Sequence, residues 1–115
     1  DIGEYAVKEG TTVIADSAFS KMSTLKKISI PEGVKYIGNA FYYCDNLTKI
    51  NVNIQTPFAI GTGVFDNTNN CPIYVPNESV EAYKTSEGWG DYADRIFSID
   101  VEGSVVGPGT ENPEE

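Results

Sequence analysis

The chain has 115 residues, with 8 Lys+Arg against 17 Asp+Glu, no His, and a formal net charge of −9. That length suits one domain, the acidic balance argues against nucleic-acid binding, and the lack of His removes the commonest general base and zinc ligand. No run approaches the ~18 apolar residues of a membrane helix, and residues 1–10 lack the basic and apolar regions of a signal peptide.

From the N-terminus, Ile2-x-x-Tyr5-x-Val7 reads as the strand of a half repeat over residues 1–8, so the chain is expected to start in mid-solenoid. Residues 9–31 form the first full unit. In it Glu9-Gly10 turns the chain, Val13-Ile14 points inward, Ala18-Phe19 makes a corner, and Leu25-x-x-Ile28-x-Ile30 is the next strand. Pro31 closes that strand, since it has no N–H to give a ladder. A shift of 23 lays Ile2, Tyr5 and Val7 under Leu25, Ile28 and Ile30; a shift of 22 carries these onto Leu47, Ile50 and Val52, and Ala18-Phe19 onto Ala40-Phe41. Residues 32–53 are therefore a second unit, one residue shorter between Ile37 and Phe41 than the first between Ile14 and Phe19. In a third unit, 54–76, Val64-Phe65 repeats the corner and Ile73, Val75 and Pro76 repeat Ile28, Ile30 and Pro31. Its Leu position falls on Asn70 or on Cys71, depending on the direction of counting. Self-similarity of this period is the mark of a solenoid, in which each unit buries its apolar face only against the next and the ends need caps.

Residues 77–101 break the pattern and read as such a cap. Asn77 suits an N-cap, Glu78 and Glu81 the positive first turn, Lys84 the end and Gly88 a stop, which predicts one helix over about 78–86. Val80, Tyr83, Trp89 and Tyr92 supply apolar surface to cover the last coil. Phe97, Ile99 and Val101 alternate with Ser98 and Asp100, which predicts a final strand over about 96–101. The charge divides accordingly: residues 1–76 hold 7 acids and 6 bases, residues 77–115 hold 10 acids and 2 bases, and 102–115 reads as a flexible acidic tail.

The string Leu-x-x-Ile-x-Ile-Pro-Glu-Gly-Val-x-x-Ile-Gly-x-Ala-Phe-x-x-Cys-x-x-Leu, Leu25 to Leu47, resembles the BspA-like leucine-rich repeats of bacterial surface proteins. The ending Ile73-Tyr74-Val75-Pro76, then Ser79-Val80-x-Ala82-Tyr83-Lys84 and Gly88-Trp89-x-x-Tyr92, looks like the terminal cap that follows such repeats. The resemblance spans roughly residues 2–99. It implies an α+β repeat fold: a right-handed solenoid with short parallel strands, irregular turns opposite and a helix-containing C-terminal cap. It further implies adhesion or partner recognition at the cell surface or in secreted form, without catalysis. Met22 and Thr68 depart from the pattern where the family has the turn Cys, here only Cys44.

Between the inward strand positions, Ala6, Ser29, Asn51 and Tyr74 form one outward row and Glu4, Lys27 and Lys49 a second beside it. With strands ~4.8 Å apart, Lys27 and Lys49 repel while Glu4 attracts Lys27. Lys27, Ser29, Lys49, Asn51 and Tyr74 are thus the candidate residues for binding a protein or glycan, with Tyr74 as aromatic anchor; the plainer reading is a solvated sheet face. A structural spacer or terminal cap of a longer solenoid, with possible edge-to-edge self-association through residues 2–8, is the alternative function. Cys44 and Cys71 sit at different places around the coil, which favours two separate buried thiols over a disulfide. Asp66-Asn67-Thr68-Asn69-Asn70 begins like a calcium loop but lacks its Gly and Glu, and a solvated turn is expected. No cofactor, metal or catalytic residue is assigned: neither Ser-x-x-Lys nor Gly-x-Ser-x-Gly occurs, and Asp91 and Asp94 beside Trp89 and Arg95 read as part of the cap. Asn46-Leu47-Thr48 and Asn77-Glu78-Ser79 fit the N-glycosylation pattern, which bears only on a eukaryotic secretory pathway.

Overall fold

The computed structural model describes residues 3–41 and 43–99; Ile2, the far end of the expected final strand and the tail over 102–115 lie outside the described residues. Seven strands are present among them: β1 (Glu4–Ala6), β2 (Val13–Ile14), β3 (Lys27–Ile30), β4 (Tyr36–Ile37), β5 (Lys49–Val52), β6 (Ile73–Val75) and β7 (Ile96–Ser98). Five form an open parallel sheet in the order β1-β3-β5-β6-β7, and β2 pairs with β4 in a separate parallel ladder. The register Tyr5↔Ile28, Ile28↔Ile50, Ile50↔Ile73 and Ile73↔Ile96 advances by 23, 22, 23 and 23 residues. Each unit thus lays its strand beside the previous one at the internal period of the sequence. Alternation then sends Ile28, Ile30, Ile50, Val52, Ile73 and Val75 to one face, where all are buried.

The corners repeat at the same period, so like rings come to lie over like. Phe19 stacks on Phe41 with centroids 5.6 Å apart, and Phe41 on Phe65 at 5.7 Å. Tyr5 meets Phe19 at 5.4 Å at one end, and Trp89 (5.4 Å) and Tyr92 (5.6 Å, edge-on) meet Phe65 at the other. Such pairs add about 0.5–1.5 kcal/mol each beyond the area they bury. The short second corner runs against the first: the Asn39 N–H donates to Asp16 Oδ1 at 2.9 Å, and a Cβ at Gly38 would overlap that carboxylate.

In the third unit Cys71, not Asn70, takes the inward Leu position. Cys71 is buried, whereas Asn70 is exposed at φ 53°. The missing residue is absorbed between Cys71 and Ile73, which stand two apart where Leu25–Ile28 and Leu47–Ile50 stand three apart. Cys44 and Cys71 are free and buried. Cys44 Sγ donates to the Phe19 carbonyl at 2.9 Å. Thr68, in the corresponding turn, is fully buried and donates to the Phe65 carbonyl at 2.7 Å, so a hydroxyl replaces the thiol without leaving a polar atom unpaired.

The cap departs from expectation in three ways. A 3-10 turn, Asn77–Ser79, leads into α1 (Val80–Lys84), which stops well before Gly88. Asn77 caps nothing; its side-chain oxygen accepts from Ser98 Oγ at 3.1 Å. Gly88, at φ 84° with its backbone against Ile60, instead starts a second helical stretch, Trp89–Arg95, of 3-10 turns kinked at Tyr92. No helical periodicity marks this stretch, because it is held by anchored side chains rather than by an apolar stripe. Trp89 Nε1 donates to the Phe58 carbonyl at 2.6 Å and Tyr83 Oη to the Ile54 carbonyl at 2.7 Å. Tyr92 Oη donates to Asp66 Oδ1 at 3.0 Å and accepts the Phe65 N–H at 3.1 Å. The third departure is one of phase. In β7, Ile96 and Ser98 are buried and Phe97 points to the opposite face beside Tyr74, because the register places Ile96 next to Ile73. No described helix is long and apolar enough to cross a membrane.

Candidate functional site: the strand face

The outward side of the five-stranded sheet is built by the positions between the buried ones. Pairing Ala6↔Ser29, Ser29↔Asn51, Asn51↔Tyr74 and Tyr74↔Phe97 sets these residues in one continuous row. Glu4↔Lys27 and Lys27↔Lys49 form the row beside it. The expected rows are therefore assembled, and Phe97, absent from the sequence-based set, extends the first.

Charge sorts the second row. Lys27 Nζ lies 3.7 Å from Glu4 Oε2, an exposed pair worth at most about 1 kcal/mol. Lys49 turns the other way, its Nζ 5.9 Å from the centre of the Tyr74 ring. Each lysine thereby finds an attractive neighbour.

Tyr74 is not the exposed anchor that its outward position suggested. It is only 4% exposed, with Lys49 over its ring and the Phe97 ring at 6.1 Å. An outward position on a central strand does not guarantee exposure when long neighbours lie across it. Nearer β1 the face opens into a depression of about 400 Å³ lined by Glu4, Ala6, Lys27, Ser29, Lys49 and Asn51. Within it Asn51 Oδ1 is buried and has no hydrogen-bond partner among the described residues. An unpaired buried acceptor costs about 1–3 kcal/mol, which a ligand donor could recover. The depression, the orphan oxygen, the burial of Tyr74 and the place of Phe97 require coordinates; the rest of the site follows from the period.

Comparison with known proteins gives one finding. The family model of the BspA type leucine rich repeat region matches residues 1–86, in six copies. No curated protein matches the chain. The match covers well over half the sequence and takes in four of the five strands of the main sheet, and the chain belongs to the BspA type leucine-rich-repeat family.

Proposed function

We propose that the chain is a non-enzymatic recognition module of a bacterial surface or secreted protein, its units wound as a right-handed solenoid and its strand face taking a protein or glycan ligand. The observation that carries this reading is the Asn51 oxygen, buried and unpaired on a residue that lines a depression together with Lys27 and Lys49. A ligand that donates to Asn51 would pair that oxygen, and its own acceptors could meet Lys27 and Lys49, which line the same depression. Ser29 adds a hydroxyl that can do either. Tyr74 serves by holding Lys49 rather than by touching the ligand.

The test is a binding screen of the folded chain against extracellular-matrix proteins and an immobilised glycan panel, with Lys27→Glu/Lys49→Glu and Asn51→Ala run beside it. A saturable signal that falls at least about tenfold in both variants supports the strand face, since one lost charge-assisted contact is worth that much. Equal binding by parent and variants would remove this face from the account.

The spacer reading is favoured by a different observation. The outer edge of β1 is unpaired among the described strands, and Tyr5 (49%) and Val13 (53%) in the first unit are half exposed. An apolar sheet edge invites pairing with another chain. Concentration-dependent sedimentation of the parent that disappears in Tyr5→Lys would support self-association there, and a monomer at every concentration would count against it.

A further inference from the structure

The open edge of β1 carries its backbone groups in a fixed order. In a parallel ladder, alternate residues of a strand turn their N–H and C=O to the same neighbour. The Gly3 carbonyl accepts the Lys27 N–H at 2.9 Å and the Val7 N–H donates to the Ser29 carbonyl at 2.9 Å, so Gly3, Tyr5 and Val7 face β3. Glu4 and Ala6 therefore face away from the sheet, and no other described strand meets them. Lys8 continues the series. Its counterpart two units on, Asn53, gives its N–H back to the preceding unit, to the Ile30 carbonyl at 2.8 Å. Pro31, at the same position in the unit between, has no N–H to give, whereas Lys8 has one.

The chemistry of this edge selects its occupant. The run Glu4-Tyr5-Ala6-Val7-Lys8 has an acid at one end, a base at the other and its smallest side chain at the centre, so it is complementary to its own reverse. An antiparallel copy centred on Ala6 sets Glu4 opposite the partner's Lys8, Lys8 opposite the partner's Glu4 and Tyr5 opposite the partner's Val7. Ala6 then exchanges both backbone bonds with the partner's Ala6, and each Lys8 N–H meets the carbonyl of the partner's Glu4. Centring the pair on Glu4 or on Lys8 puts like charges face to face, and centring it on Tyr5 or Val7 sets the charged residues opposite uncharged ones. Glu4 can take a second cation, because its carboxylate is exposed and Lys27 Nζ lies 3.7 Å away to one side. The edge also leaves apolar surface bare: Tyr5 and Met22 are half exposed beside Phe19, whereas their counterparts Ile28 and Cys44 are buried.

We propose that two copies of the chain pair through β1, antiparallel and centred on Ala6, joining their sheets into one, with Glu4 of each copy held by the partner's Lys8. The proposal rests on the self-association reading of this edge and adds to it the partner, the direction and the register. Glu4 and Ala6 also border the depression of the strand face, so the depressions of the two copies lie side by side across the axis.

The test follows sedimentation equilibrium from about 10 μM to about 1 mM, the weak end of specific association. It compares the parent, Glu4→Lys, Lys8→Glu and an equimolar mixture of these two variants. Each variant alone makes both facing pairs repulsive, and the mixture makes both attractive again. Expected are a dimer of the parent, a dimer at least about tenfold weaker in either variant, and recovery in the mixture. A second readout fixes the centre. Opposite residues of a hydrogen-bonded pair have Cα atoms about 5.5 Å apart, within disulfide reach, so mild oxidation should join two copies of Ala6→Cys and not two copies of Glu4→Cys. The native Cys44 and Cys71 are buried and do not compete. A parent dimer that neither variant weakens, no recovery in the mixture, or no cross-link at position 6 would overturn the register while leaving self-association of the edge standing. A monomer at every concentration would overturn both and leave the edge to a strand of another protein.

Discussion

At the residue scale, hydrogen bonds rather than bulk separate the cap from a mere lid. Tyr83, Trp89, Tyr92 and Arg95 each reach carbonyl or carboxylate oxygens of the third unit. Burial pushes the phenol of Tyr83 upward, and it pushes Tyr92 up to about 12 from 10.0, with the neighbouring Asp66 carboxylate adding to the rise. A phenol that holds its proton more tightly when folded contributes stability that is complete below about pH 10 and is lost as pH rises through the folded value. The melting temperature is therefore expected to drop between pH 10 and about 12, and to drop less steeply in Tyr92→Phe, as measured by calorimetry across that range. An identical slope in the variant would show that Tyr92 is not the titrating group. Residue identities on the outward face of β1, β3, β5 and β6 were legible because parallel pairing at a fixed period leaves no choice of row. The burial of Tyr74 was not, because it depends on how the Lys49 and Phe97 side chains lie across it.

At the scale of elements, the stack Phe19–Phe41–Phe65 ties each unit to the next. Phe41 is fully buried with a ring on both sides, while Phe19 is half-buried and has Tyr5, itself half exposed, as its outer neighbour. Phe41→Ala should cost about 3–5 kcal/mol, enough to unfold a chain of ordinary stability, and Phe19→Ala clearly less. Urea unfolding of the two variants checks this, and equal losses would mean that the stack does not carry the units' cohesion. The strands and corners could be read from the sequence because each repeats with the same apolar spacing. The third unit was ambiguous at Asn70 and Cys71, since a deletion can be absorbed at either side of a turn and only burial decides. In the cap, single-turn helices without an amphipathic stripe left no period to find, and a strand as short as β7 fits either phase until its neighbour fixes the register.

At the scale of the whole molecule, an open row of repeats is closed at its C-terminal end by aromatic side chains that continue the stack. This predicts that repeats and cap unfold together, although arrays of repeats often lose cooperativity along their length. The chain offers a direct measurement, because Trp89 is its one tryptophan and sits in the cap, fully buried. Tryptophan fluorescence then reports the cap, far-ultraviolet circular dichroism reports the sheet, and the two can be followed on the same sample through one urea titration. Coincident transitions with a single midpoint are the predicted result. A fluorescence change that precedes the loss of sheet would contradict the account, since the cap would then be an appendage rather than the closing element of the fold.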